Sequence, residues 1–305
     1  MIHKNAKTNL SRDFGFITFT IENVVDQVTR KEEPFHISSA SKTVQSHDSI
    51  FYFSGSLVEL DLCDNVLEGR IPESFGHMTA LTSLNLENNH LTGPIPDSFA
   101  LMTALTHLDL SANQLSCVLL KSIRDLSSLQ VADFSSNNFT ENLEDLLSGP
   151  FVVFQELLLY DNHLNGSLPD FSQLSSLKKL QVNSNQLNGR LPSVFECHSA
   201  LHLLDLSNNH LRGSLPDFTG FSSLKVLSLY SNEFSGSLPD FTGCSSLKVL
   251  VLNENQLIEW ETMSTGLLSN LEELDLSMNF IHNTITESHL SNLARLKYIR
   301  TSCWV

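Results

Sequence analysis

The sequence predicts an α/β solenoid, about ten short coils whose strands stack into one parallel concave β-sheet. Three observations carry that expectation. Asparagine recurs at Asn65, Asn89, Asn113, Asn137, Asn162, Asn185, Asn209, Asn232, Asn255 and Asn279, in steps of 23 to 25 residues. Each closes one phrase, as in Leu81-x-x-Leu84-x-Leu86-x-x-Asn89-x-Leu91. The second half of many coils then carries glycine and proline in a fixed phase, as in Gly69-Arg70-Ile71-Pro72, Gly93-Pro94-Ile95-Pro96 and Gly189-Arg190-Leu191-Pro192.

A period in the twenties with this phrase is the signature of a leucine-rich-repeat solenoid. Leu-x-x-Leu-x-Leu is a short strand that turns its leucines inward. One coil cannot bury them alone, so neighbours must stack. The asparagine falls where the chain leaves the strand. Its amide has donors and an acceptor for backbone groups that the bend leaves unpaired, so stacked coils predict an asparagine ladder. The glycines permit unusual dihedrals, and the prolines remove a donor where none is needed.

Coils begin at Leu57, Leu81, Leu105, Leu129, Phe154, Leu177, Leu201, Leu224, Leu247 and Leu271. The fourth has Ala132 at an inward position, and its back half, Glu141–Leu147, has helical spacing. The ninth replaces the glycine-proline turn with residues 258–263. The tenth has helix-like spacing over 284–296. An eleventh coil starts in phase at Leu296 and then departs, which reads as an incomplete C-terminal coil. Residues 1–52 carry no phrase and are expected to be a poorly ordered non-repeat segment, with 53–305 as the solenoid. Gly213–Phe234 nearly repeats as Gly236–Leu257, an offset of 23 residues that indicates duplication of one coil.

The phrase with L-x-G-x-[IL]-P resembles the plant-type leucine-rich repeat. The wording Gly-Ser-Leu-Pro-Asp-Phe followed by Ser-Ser-Leu-Lys-Val-Leu is similar to the extracellular domains of plant receptor-like proteins, above all elicitor receptors of the ethylene-inducing xylanase kind. The resemblance covers about Ser56 to Ile299. It implies a protein- or peptide-binding ectodomain fragment of a cell-surface receptor-like protein, in defence or developmental signalling, on the extracellular face of the plasma membrane and with a co-receptor. Two alternatives stay open: a secreted repeat inhibitor of cell-wall-degrading enzymes, and a non-functional gene fragment. Family members usually carry cysteine pairs in caps flanking the repeats. The five cysteines here are scattered, and Cys197 and Cys244 lie two coils apart, roughly 10 Å and too far for a bridge.

Composition narrows the partners. Acidic residues outnumber basic ones 34 to 18, a net charge of −16. Nucleic acid and anionic membrane surfaces want the opposite balance. No apolar run reaches the ~20 residues of a membrane span, and no clear signal peptide is visible. The motifs of nucleotide binding, metalloproteolysis, serine hydrolysis and phosphoryl transfer are missing, so an enzyme is not expected, and neither is a cofactor or metal. His90, His163 and His210 each follow a rung asparagine and read as turn residues. Asp61, Asp109, Asp133, Asp205 and Asp275 recur without a partner base and read as an exposed face. Asn138 and Asn165 stand in Asn-x-Ser/Thr triplets within solenoid turns, where a sugar is tolerated; Asn9 is a third triplet.

The candidate ligand-binding residues lie on the concave face, where outward positions alternate with the leucines. Coils one to four keep small and acidic residues there. Coils five to nine depart, offering Leu158, Tyr160, Gln181, Asn183, Tyr230, Val251 and Asn253. Exposed tyrosines beside amides suit partner recognition, because the ring is apolar and its tip polar.

Overall fold

The computed structural model describes residues 43–44, 57–116, 123, 125–147, 154–168, 175–192, 200–260, 268–282 and 286–301. The chain forms two compact units, Met1–Thr140 and Glu141–Val305. Each is a stack of right-phased coils with two parallel sheets.

In the first unit, strands β1 (Thr43–Val44), β2 (Glu59–Asp61), β3 (Val66–Arg70), β4 (Ser83–Asn85), β5 (His90–Gly93), β6 (His107–Asp109), β7 (Gln114–Leu115) and β8 (Val131–Asp133) follow in order. The even-numbered strands carry the leucine phrase and pair β2-β4-β6-β8 in parallel. The odd-numbered ones pair β1-β3-β5-β7, and β3 and β5 carry the Leu-x-Gly segment. That second sheet was not foreseen: the Leu-x-Gly segment reads as a turn, yet it bonds across coils. Thr43 pairs with Val66, one repeat away. The rest of residues 1–52, including the expected poorly ordered stretch, lies outside the described residues.

The second unit opens with helix α1 (Leu143–Leu147), in the helically spaced back half of coil four. The first sheet joins β9 (Glu156–Leu158), β11 (Lys179–Gln181), β13 (Leu203–Asp205), β15 (Val226–Ser228), β17 (Val249–Val251), β19 (Glu273–Asp275) and β20 (Tyr298–Arg300). The second joins β10 (Asn165–Gly166), β12 (Gln186–Gly189), β14 (His210–Gly213), β16 (Glu233–Ser237) and β18 (Gln256–Glu259). A short helix, α2 (Glu287–Leu290), precedes β20. β20 pairs Ile299 with Leu274, so the eleventh coil does contribute a strand.

Packing follows the period. Leu81, Leu105, Leu129, Leu224, Leu247 and Leu271 are wholly buried. At coil four the missing volume of Ala132 is met by Phe134, whose ring meets Phe139 edge-on at 6.3 Å. In the repeated Gly-Ser-Leu-Pro-Asp-Phe phrase, Phe218 stacks on Phe241 at 5.3 Å between centroids. Trp260, at the irregular ninth turn, is buried against His289. Coils touch closely on the side away from the first sheet: a Cβ on Gly76 would lie 2.2 Å from the Ser98 carbonyl oxygen.

The asparagine ladder is present in all ten coils, every member 9% exposed or less. Asn113 shows its logic. Its Nδ2 donates to the carbonyls of Leu110 and Ser111 in its own coil and of Leu86 in the preceding one, and its Oδ1 accepts the Leu91 N–H at 3.0 Å. Asn209 repeats the pattern on Leu206, Ser207, Val182 and Leu187. One amide thus ties two coils together. The residue before each rung is left-handed, from Asp64 to Met278, with φ between 51 and 56°. None of the ten is glycine, so each bears the steric cost of that region.

Two outcomes follow. Asn113→Leu leaves buried backbone groups unpaired and lowers stability by about 1–3 kcal/mol in chemical denaturation. Ala112→Asn, at φ 51°, acts oppositely. Asparagine tolerates the left-handed region, so the variant gains up to about 1 kcal/mol over the parent, read by the same denaturation midpoint.

Candidate binding face

Strand alternation sets what the first sheet presents to solvent. In the first unit one outward column runs Asp61, Asn85, Asp109, Asp133 in parallel register. These side chains have a local task that their periodicity conceals. Asp109 Oδ1 accepts the Ser111 N–H at 3.0 Å and its hydroxyl at 2.6 Å. Asp133, Asp205 and Asp275 do the same for Ser135, Ser207 and Ser277. The carboxylate caps the strand as it turns into the left-handed residue, so the recurrent Asp-x-Ser is structural.

Carboxylates gather on the first unit's face. Glu87 is held above the usual carboxylate range by burial first, then by Asp109, Asp64, Asp133 and Asp61. The Cys63 thiol is pushed up to about 12, again by burial first, then by its hydrogen bond to Asp61 and by the charges of Asp61, Asp64 and Glu87. Cys244 is a free, buried thiol, also raised to about 12 mainly by burial, with Sγ 3.2 Å from the Phe218 carbonyl. Cys197, with which no bridge is expected, lies outside the described residues. His90, His163 and His210 are exposed, but His90 and His210 open β5 and β14, so the turn expectation fails for those two because the second sheet begins right after the rung.

All seven candidate contact residues belong to the second unit. Leu158 and Gln181 are register partners on β9 and β11, and Tyr160 and Asn183 follow them two residues on. Val251 lies next to Ser228 across β15 and β17, with Tyr230 and Asn253 beyond. Coil seven keeps the capping pair Asp205 and Ser207, so the departure from the consensus comes as two clusters rather than one run. Leu158 is a correction: an outward position by the strand alternation, it is nonetheless buried, at 9% exposed. Tyr160, Gln181, Asn183, Tyr230, Val251 and Asn253 are half-buried. The Tyr230 hydroxyl accepts from Asn208 Nδ2 at 2.8 Å, which steadies the ring over coil seven. Asn183 Oδ1 is buried without a hydrogen-bond partner.

The candidate set omitted three residues. Leu203, Val226 and Val249 open β13, β15 and β17 in direct register and are half-buried on the same face. An apolar residue at this outward position in three consecutive coils was a visible signal. It was passed over because such residues blend with the inward leucines beside them. Asn138 and Asn165 are exposed, so both triplets are accessible to modification. Among the described residues no three His, Cys, Asp or Glu side chains converge as metal ligands, and no helix is long and apolar enough to cross a membrane.

Leucine-rich-repeat family models match residues 39–91 and 55–115, and again 200–221 and 223–244. With the two-sheet coils, these define the class: a leucine-rich-repeat solenoid, a fold that serves as a protein-binding scaffold. No curated protein sequence matches the chain. Among solved structures, the ectodomain of the plant membrane receptor kinase GASSHO1/SCHENGEN3 from Arabidopsis thaliana, in complex with CASPARIAN STRIP INTEGRITY FACTOR 2, is 29% identical with a TM-score of 0.80, covering 93% of this chain and 34% of that one. The plant peptide hormone receptor RGFR1, in complex with RGF2, is 28% identical with a TM-score of 0.71, covering 81% and 44%. The Arabidopsis receptor kinase HAESA, with the peptide hormone IDA and the co-receptor SERK1, is 30% identical with a TM-score of 0.57, covering 73% and 46%. The repeats and fold are those of plant leucine-rich-repeat receptor ectodomains, and the chain spans between a third and a half of the length of these three.

The electrostatics of the first unit give two measurable outcomes. A carboxyl held above its usual range adds stability in acid that is lost as pH rises through its folded-state value. Glu87→Gln therefore raises the melting temperature near neutral pH and leaves it unchanged in strong acid, by scanning calorimetry. Cys63, half-exposed yet surrounded by carboxylates, reacts with a maleimide at mildly alkaline pH roughly tenfold or more slowly than a free cysteine, as peptide mapping of the labelled chain reads.

Proposed function

We propose that this chain is a ligand-recognising part of a receptor-like ectodomain at the plant cell surface, with a peptide or protein ligand on the solvent-facing side of the second unit's first sheet. The contact residues are Tyr160, Gln181, Asn183, Tyr230, Val251 and Asn253, with Leu158 supporting them from below. The observation that carries this reading is the loss of the Asp-x-Ser strand cap in coils five, six and nine, where Leu158 and Tyr160, Gln181 and Asn183, and Val251 and Asn253 stand in its place. Elsewhere the aspartate and serine are tied to each other at their own strand end, whereas among the described residues Gln181 and Val251 form no such cap. The solved relatives support the class of ligand, since RGFR1 is a peptide hormone receptor in complex with RGF2 and HAESA is in complex with the peptide hormone IDA. HAESA's SERK1 supports a co-receptor as second partner.

On this reading the chain binds rather than catalyses, it lies outside the plasma membrane, and Asn138 and Asn165 carry sugars. Whether the signal serves defence or development depends on the ligand. Tyr160 and Tyr230 occupy one column three coils apart, roughly 14 Å by strand spacing, a length that an extended peptide covers in about four residues.

Tyr160→Ala with Tyr230→Ala weakens ligand binding by about 1–2 kcal/mol for each ring that acts as an anchor. The melting temperature shifts little, because neither ring belongs to the leucine core. A ligand is first captured from plant extracellular fluid on the intact chain, and its affinity for parent and double variant is then compared by calorimetry. Equal affinities place the contact elsewhere.

A further inference from the structure

The described residues include five lysines, Lys178, Lys179, Lys225, Lys248 and Lys297, and all five stand where strands of the second unit's first sheet begin. Four share one column. Its backbone is a continuous ladder: His202 N donates to Lys178 O at 2.7 Å, Lys225 N to His202 O at 2.8 Å, Lys248 N to Lys225 O at 2.8 Å, Glu272 N to Lys248 O at 2.7 Å and Lys297 N to Glu272 O at 2.8 Å. Neighbouring side chains are thus one strand interval apart, roughly 4.8 Å. The same column in the first unit holds Val58, Thr82, Thr106 and Gln130, so the coil does not require a cation there.

Like charges opposite one another on a sheet are unfavourable. This row keeps four lysines against one glutamate, in a chain with a net charge of −16. Glu272 reaches both Lys248 and Lys297, and Lys297 draws its carboxyl below the usual range. Lys179 is matched by Glu156 at 3.9 Å. Among the described residues Lys178 bonds only a neutral amide, Gln155, and Lys225 has no ion-pair partner. Beside these unmatched cations runs the apolar row Leu203, Val226 and Val249.

We infer that the lysine row binds an acidic, extended peptide segment whose apolar side chains rest on Leu203, Val226 and Val249. The inference rests on the peptide-binding reading of this face and specifies its ligand. An extended chain that alternates acidic and apolar residues presents the two sets to opposite sides. One set meets Lys178, Lys225 and Lys248; the other covers the apolar row and leads toward Tyr230. An anionic polysaccharide offers the charge without apolar side chains, and it leaves that row uncovered.

The test uses the full chain and three probes: a fluorescent peptide alternating Glu and Val, its counterpart alternating Lys and Val, and an oligogalacturonate. The Glu/Val peptide binds, more weakly as salt rises. Replacing Lys178, Lys225 and Lys248 together by Gln weakens it about tenfold, and Val226→Thr with Val249→Thr weakens it by a smaller factor. All these positions are exposed or half-buried, so circular dichroism of the variants matches the parent. Equal binding of the Lys/Val peptide, or equal affinity in the triple Gln variant, overturns the inference. So does oligogalacturonate binding that displaces the peptide and ignores the threonine pair. If Tyr160→Ala with Tyr230→Ala weakens a bound peptide while the triple Gln variant does not, the lysine row is wrong and the peptide-binding reading stands. If neither peptide binds, the lysine-row inference falls, and the peptide-binding reading is decided by the captured ligand.

Discussion

In eight of the ten coils the side-chain amide of the rung asparagine hydrogen-bonds both within its own coil and to the coil before it, and the rest of the structure depends on that two-way bonding. Leaving a three-residue strand, the chain must turn sharply, and the turn exposes carbonyls at positions such as Leu110 and Ser111 to an interior without water. Asn113 satisfies both and also reaches Leu86 and Leu91 of the preceding coil. Burial of leucine drives the stacking, but it is non-directional. The amide gives the stack its phase, because only a coil shifted by one whole repeat brings the next carbonyl and N–H within reach.

The bend has a steric cost that recurs ten times, at residues as different as Ala112, Glu254 and Met278. It persists because the surrounding hydrogen bonds over-determine it. Aspartate on the outward side is part of the same construction. In Asp109-x-Ser111 and its equivalents the carboxylate caps the strand end just before the left-handed residue. Coils built this way have little freedom at the two positions that flank the last leucine of the phrase, as Asp109 and Ser111 flank Leu110. Where the aspartate is replaced, as at Gln181 and Val251, the outward side is released for another use.

The two units treat that outward side differently. The first gathers Asp61, Asp64, Glu87, Asp109 and Asp133, whose charges add to burial in raising the protonation ranges of Glu87 and Cys63. The second sets lysines at the strand starts, an apolar row next to them, and tyrosines and amides beyond. Neither arrangement serves the leucine core, which is the same in both. Side chains that the core does not constrain are the ones free to recognise a partner.

The sequence alone determined the repeat, the coil count, the inward leucines and the buried ladder, since each is set by a period and by side-chain chemistry that repeats with it. It also located the second unit as the place where the outward columns change. It did not reveal the second sheet, because Leu-x-Gly is too short to show strand periodicity and becomes a strand only when the next coil bonds to it. Nor did it reveal that Leu158 is covered, that Trp260 is buried against His289 or that Asn183 keeps an unpartnered oxygen. Those outcomes depend on which neighbour lies one coil away and how far its side chain reaches. Periodicity fixes direction, inward or outward, for every residue; exposure and pairing are decided between coils, and only the stacked structure brings those residues together.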